Sequence, residues 1–146
     1  MRGKITFELS GGELQKVIVA AILAMNPEIL VFDEPTSNMD PQSALNFLEY
    51  TVKINRCYNK TIIIVEHRLD FIIQYATKII ILDKGRIVAM GDPRKVLSYD
   101  FLEEIGVSLP QIPLLFKRLR PLLSYHELPL SINEALELIR DSICQK

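Results

Sequence analysis

Ile29-Leu30-Val31-Phe32-Asp33-Glu34-Pro35 is the stretch on which the fold turns. Four apolar residues in a row, without polar alternation, read as a short strand buried on both faces, as in a parallel sheet. Two carboxylates then close it. Phosphoryl-transfer sites use such a pair at a strand end, one acid to position Mg2+ and the other to orient or activate the attacking water. A strand end that simply faces solvent would carry the same pair, so the motif needs its neighbours. Pro35 has no backbone donor and turns the chain out of the sheet, which leaves Thr36-Ser37-Asn38-Met39-Asp40 as a loop beside the carboxylates.

Toward the C-terminus, Asp40-Pro41 is an N-cap followed by a proline at the first helical position, and the helix it opens continues through Leu45, Leu48 and Val52 before fraying over residues 55–59. Thr61-Ile62-Ile63-Ile64-Val65 is a second apolar strand, closing in Glu66-His67-Arg68, and a short helix follows over residues 69–75. Strand, helix, strand is the order of a parallel sheet. His67 past a strand end reads either as an ordinary loop residue or as a group placed where α/β proteins gather ligands, able to bond a terminal phosphate. Residues 78–83 and 86–90 flank Lys84-Gly85, a two-residue hairpin turn. Beyond Gly91-Asp92-Pro93 the composition changes, with Pro110, Pro113, Pro121 and Pro129 between short helical stretches. A domain of residues 1–98 and a helical appendage of residues 99–146 are expected, with the boundary near Tyr99. The last helix opens on Ser131 with Glu134 three residues on, a capping box, and puts Ala135, Leu136, Ile139 and Ile143 on one face.

Toward the N-terminus, Val17, Ile18, Ala21, Ile22 and Met25 repeat at helical spacing from Leu14 onward and predict a buried stripe, ended by Asn26-Pro27. Leu9-Ser10-Gly11-Gly12-Glu13 stands just before it. Ser10 and Glu13 suffice for a capping box. A cap gains nothing from Gly11 and Gly12, each of which costs about 1 kcal/mol of helix propensity relative to alanine. Bare backbone N–H groups at the positive end of a helix suit phosphates that approach from another chain, with the Ser10 hydroxyl as a further donor. Both readings stand on these residues alone.

Composition limits the alternatives. With 49% hydrophobic residues in 146, the chain has the apolar content for a core, and disorder is not expected. Seventeen basic against eighteen acidic residues give a net charge of -1, which offers no global field for nucleic acid or an anionic membrane. Lys117-Arg118-Leu119-Arg120 reads as a solvated face. Cys57 and Cys144 have neither zinc-ligand nor disulfide-framework spacing. The longest apolar run, residues 17–25, is about half a bilayer span, and the first eight residues are too short and polar for a signal peptide. A place on the cytoplasmic side is expected, with membrane contact made through a partner.

Taken together, these motifs resemble the ATP-binding-cassette (ABC) ATPases. Leu9-Ser10-Gly11-Gly12-Glu13 is similar to the family's signature sequence, with glutamate where glutamine is common, and Ile29 to Glu34 to the Walker B strand. Ser37-Asn38-Met39-Asp40 resembles the D-loop, and His67 the switch histidine. The resemblance covers residues 9–90. The stretch 91–97, then residues 101–106, Pro110-Gln111 and the closing helix are similar to the ATPase subunits of energy-coupling-factor transporters, which drive uptake of vitamins or of cobalt and nickel ions. The fold implied is the C-terminal part of a P-loop NTPase (RecA-like) nucleotide-binding domain: α/β, a mostly parallel sheet with flanking helices, and a small helical appendage.

By that resemblance, Glu34 activates water, His67 senses or stabilises the γ-phosphate and Asp33 positions Mg2+. Ser10, Gly11, Gly12, Glu13 and Asp40 belong to the nucleotide-binding set. No G-x-x-x-x-G-K-S/T occurs in the sequence, because Gly3-Lys4 is followed by Ile5 and has no glycine-rich loop before it. ATP and Mg2+ are therefore expected to be held by a second ABC ATPase subunit or by a missing N-terminal half. The chain alone is expected to be inactive, to expose apolar edges and to work as an oligomer, beside a transmembrane transporter subunit, at the cytoplasmic face of the membrane. Two other readings are an ABC-shaped interaction module without catalysis and a soluble ABC ATPase of DNA repair or translation. The latter usually carries coiled-coil insertions or tandem cassettes, and no heptad run is present here.

Overall fold

Asp40-Pro41 and Lys84-Gly85, the two clearest local signals, each open or turn an element where expected. A computed structural model describes residues 11–123 and 125–144. By internal contacts the chain forms two units, residues 1–67 and residues 68–146.

The first unit contains α1 (Gly11–Ala24), β1 (Ile29–Asp33), α2 (Pro41–Tyr58) and β2 (Thr61–Val65). Asn26 adopts φ 52° just before Pro27, a left-handed conformation that asparagine tolerates, and the helical course of α1 ends there. Asp40 caps α2 by accepting from Ser43 N at 3.0 Å, Pro41 sits in its first turn, and Asn59 closes it at φ 50°. The fraying expected over residues 55–59 does not occur, because Asn55 Nδ2 donates to Lys60 O at 2.7 Å and holds the last turn closed.

β1 and β2 are parallel, with Ile29 opposite Thr61 and Asp33 opposite Val65. Phe32 meets Phe47 of α2 edge-on, ring centroids 5.3 Å apart, and Leu30, Ala44 and Leu48 are buried in the same unit. An edge-to-face pair adds about 0.5–1.5 kcal/mol beyond the area it buries. β1 was expected to be buried on both faces. It is not: Leu30 and Phe32 are 3% and 8% exposed, while Ile29 and Val31 are 57% and 63% exposed. β2 likewise exposes Ile63 and Val65, and Val17, Ile18, Ala21 and Ile22 of α1 with Met25 just after it, expected as a buried stripe, are exposed. Periodicity marks a face as apolar without saying what covers it, and the described residues of this unit leave these faces bare.

The second unit contains α3 (Leu69–Ile72) with a 3-10 turn (Ile73–Tyr75), β3 (Ile79–Asp83), β4 (Arg86–Gly91), α4 (Pro93–Leu97), α5 (Phe101–Glu104), α6 (Gln111–Leu119) and α7 (Ile132–Cys144). β3 and β4 form an antiparallel hairpin. Its two turn residues, Lys84 and Gly85, have φ 46° and 74°, the pair of positive values that a type I′ turn requires.

Ile81 and Ala89 of the hairpin share one core with Val96, Leu97, Leu102 and Phe116. That core continues to Leu128, Leu130 and Ala135. The appendage expected at residues 99–146 therefore packs together with the hairpin and α4, and the division of the chain falls at His67/Arg68. The prolines that read as a change of composition explain the difference. Pro110, Pro113 and Pro129 are fully buried packing residues and mark no linker.

Arg94 of α4 fastens the C-terminal segment. Its Nη1 donates to Leu128 O at 2.7 Å and to Glu134 Oε2 at 2.8 Å, while Nη2 donates to Glu134 Oε1 at 3.1 Å. This fork holds the Glu134 carboxyl below the usual carboxylate range, chiefly through the Arg94 hydrogen bonds. Only half of the capping box expected at Ser131 forms: Glu134 N donates to Ser131 Oγ at 3.3 Å, whereas the Glu134 carboxylate accepts from Leu130 N and turns to Arg94. A forked arginine outcompetes a single backbone N–H for the same oxygens.

Candidate functional site

The carboxyl ends of β1 and β2 lie side by side because the parallel register sets Asp33 opposite Val65. One further backbone bond, Glu34 N to Val65 O at 2.9 Å, extends the ladder past the strands. Glu34 then leaves the sheet at φ 43°, a left-handed conformation that costs a residue with a Cβ about 1–2 kcal/mol. Local bonds hold it there. Ser37 donates to Glu34 O through its backbone N at 3.2 Å and its hydroxyl at 2.9 Å, closing the turn that Pro35 begins.

This geometry brings Glu34 and His67 together. His67 Nε2 lies 3.0 Å from Glu34 Oε1, with the two side chains 84% and 48% exposed. An exposed pair of this kind adds about 0–1 kcal/mol to stability, so the contact matters for placement more than for folding. Asp33, one residue earlier on β1, is also exposed at this edge. A carboxylate, a second carboxylate and an imidazole thus share one open end of a parallel pair of strands, where the family of α/β folds gathers its ligands.

Asp40 is engaged in folding. Its Oδ1 accepts from Ser43 N and its Oδ2 from the Ser43 hydroxyl, and these bonds, the hydroxyl's first, hold its carboxyl below the usual range. Gly11, Gly12 and Glu13 lie in α1, on the chain segment that leads into β1. Ser10 falls outside the described residues.

Two residues at this edge escaped the sequence reading. Thr36, 1% exposed, donates to Glu66 Oε1 through its backbone N at 3.1 Å and through its hydroxyl at 2.5 Å. The partners are 30 residues apart, and neither type in its local context announces a contact. The only sequence signal is adjacency, since Glu66 precedes His67 and Thr36 follows Glu34-Pro35.

Mg2+ can be tested against the residues present. Among the described residues, no group of three His, Cys, Asp or Glu side chains converges to hold a metal. Mg2+ bound through phosphates and water asks only one or two carboxylates of a protein, and Asp33 can supply one. No helix among the described residues is long and apolar enough to cross a membrane.

Comparison with known proteins gives a consistent set of likenesses. Residues 2–37 match the family model described as ABC transporter. The chain is 37% identical over 141 residues to the energy-coupling factor transporter ATP-binding protein EcfA2 of Ligilactobacillus salivarius, a match that takes in 93% of this chain and 48% of that protein. In structure it is similar to cbiO1 of Clostridium perfringens, part of the ABC transporter complex cbiONQ, with a TM-score of 0.61 at 29% identity over 77% of this chain and 45% of that one. It is also similar to MJ0796, a bacterial ABC transporter cassette solved as a dimer, with a TM-score of 0.54 at 30% identity over 61% of this chain and 38% of that one. The chain thus spans less than half the length of each of these proteins.

Proposed function

Because the chain is homologous to the ATP-binding proteins of ABC transporters over less than half their length, we propose that it supplies the hydrolytic edge and signature segment of an ATPase site whose phosphate-holding loop lies elsewhere. The observation that carries this reading is the 3.0 Å contact of His67 with Glu34 at the end of a parallel strand pair.

In this reading Glu34 accepts a proton from a water as the water's oxygen attacks the γ-phosphorus of ATP. The bond from that phosphorus to the bridging oxygen breaks, ADP departs and phosphate is released. His67 bonds the terminal phosphate and, through Glu34, keeps the base aimed at the water. Asp33 is the carboxylate that would hold Mg2+, which when bound supplies positive charge against the phosphate oxygens. Ser10, Gly11, Gly12 and Glu13 cover a nucleotide held by a partner, and Asp40 closes the loop between the two. The partner is a second ABC ATPase subunit or the remainder of the cassette, and the bare faces of α1, β1 and β2 are where that remainder packs. A transmembrane subunit then couples turnover to import of a solute, a vitamin or cobalt or nickel ions, from the cytoplasmic face of the membrane. The names of EcfA2 and cbiO1 support the transporter assignment.

The test is Glu34→Gln in the assembled ATPase. ATP binding should persist while turnover falls by about 10²–10⁴, the span of a general base; turnover at the original rate removes Glu34 from this role. Gel filtration addresses the reading without catalysis, which expects the chain's association with a complete ATPase to be indifferent to ATP and Mg2+.

A further inference from the structure

The reactive pair sits on the outside of the protein and is fastened from within. Glu34 and His67 have side chains 48% and 84% exposed, so packing does little to hold either. What restricts them is their backbone. Thr36, two residues after Glu34, is 1% exposed and gives both its N–H and its hydroxyl to one oxygen of Glu66, the residue directly before His67. The same carboxylate therefore fixes the loop that carries Glu34 and the strand end that carries His67.

We propose that Glu66 is a positioning residue for the Glu34–His67 pair, with Thr36 as its anchor, a role that rests on the hydrolytic reading given above. Three observations converge on it. Glu34 is held at φ 43°, a conformation that persists only where neighbouring bonds over-determine it. The bonds that hold this turn include Glu34 N to Val65 O, Ser37 to Glu34 O, Met39 N to Thr36 O and the Thr36 clamp. Of these, the clamp alone uses a side chain from the far strand, and that side chain is covalently next to His67. Without it, β2 still pairs with β1 through Val65, but the residues beyond Val65 lose their tie to the loop. The expected result is a Glu34–His67 pair formed for less of the time, in a protein that remains folded.

The experiment is steady-state ATP turnover by the ATPase assembly containing this chain, with Glu34→Gln as control. Glu66→Ala should lower kcat about tenfold or more, the scale of a small misplacement of catalytic groups, with the KM for ATP within about twofold. Glu66→Gln keeps an acceptor for Thr36 and should recover most of that loss. Thr36→Val removes the hydroxyl donor and should lower kcat by less than Glu66→Ala. The decisive comparison is Glu66→Ala/His67→Ala, whose loss relative to His67→Ala should be smaller than the loss Glu66→Ala causes in the parent, because a residue acting through the Glu34–His67 pair then has only the Glu34 loop left to place. Losses that multiply in the double variant overturn the positioning role, as does wild-type kcat in Glu66→Ala. Should Glu66→Ala fail to fold by circular dichroism, the pair Thr36→Val and Glu66→Gln decides, and Thr36→Val at wild-type kcat is the overturning result. If Glu34→Gln leaves turnover unchanged, the hydrolytic reading itself fails and takes this role with it; if Glu34→Gln stops turnover while Glu66→Ala does not slow it, the positioning role fails alone.

Discussion

Two side-chain pairs, one in each unit, are alike in distance and do opposite work. His67 and Glu34 meet at 3.0 Å in the open, at the end of two strands, with a strained backbone under one partner. Arg94 and Glu134 meet in a fork at 2.8 and 3.1 Å, partly buried, with a backbone carbonyl and a backbone N–H completing the set. The first pair adds little to stability and leaves both groups accessible to a third. The second satisfies its members internally and ties α4 to the segment leading into α7. An exposed pair with bonding capacity to spare, on a fixed backbone, suits a site, and a saturated one suits a scaffold.

Substitution separates the two most sharply at Glu34. Glu34→Gln keeps size and shape, so thermal unfolding of the full chain should shift little while turnover in the assembly falls by about 10²–10⁴. A large loss of stability instead would make Glu34 part of the scaffold. In the other unit, Phe116 is 1% exposed and central to the shared core, so Phe116→Ala should cost about 3–5 kcal/mol by urea unfolding. A cost under about 1 kcal/mol would mean that the core tying residues 99–146 to the hairpin is not formed as described.

Arg94→Met keeps the stem and removes the fork. Leu128 O loses its partner and Glu134 loses its strongest one, for an expected cost of about 1–2 kcal/mol near neutral pH after allowance for partial exposure. The pH dependence has a definite sign. The Glu134 carboxyl is held low by Arg94, so its contribution is complete above the ordinary glutamate range near about pH 4.3 and fades as pH falls through the lowered value. In Arg94→Met that acid-dependent part should flatten. Equal slopes for variant and parent below pH of about 4.5 would remove the pair from this role.

How much of this was legible beforehand follows from sequence separation. Asp40-Pro41 and Lys84-Gly85 act within three or four residues, and the structure has the cap and the turn where the sequence put them. Glu34 and His67 are 33 apart, yet each terminates an apolar run, and parallel pairing of such runs brings their ends together. The Thr36–Glu66 and Arg94–Glu134 contacts, 30 and 40 residues apart, have no such rule behind them. Glu134 shows the failure most clearly: its spacing from Ser131 fits a capping box, and only the fold reveals a stronger claimant. Surfaces were misjudged for a related reason. Ile29, Val31, Ile63 and Val65 are apolar as a buried face should be, but burial belongs to an assembly and cannot be read from one strand's composition.

Two positive-φ residues with side chains extend the comparison to the backbone. Glu34, at φ 43°, stands at the proposed site, and Lys84, at φ 46°, stands in a hairpin turn. The conformational cost per residue is the same, but the reason for bearing it differs. Nothing in the turn uses the Lys84 side chain, so Lys84→Asn, which favours the left-handed region, should raise stability by a few tenths to about 1 kcal/mol with turnover unchanged. The next position behaves oppositely. A Cβ added at Gly85 would meet no atom within 4 Å, so Gly85→Ala should lose about 1 kcal/mol from its φ of 74° alone. Glu34→Gly relieves strain as Lys84→Asn does, and it should leave stability equal to or above the parent's while abolishing turnover. Should Glu34→Gly instead destabilise the chain by more than Gly85→Ala does, the Glu34 side chain would be holding the fold, and the contrast between a strained residue kept for its side chain and one that merely turns the chain would not hold.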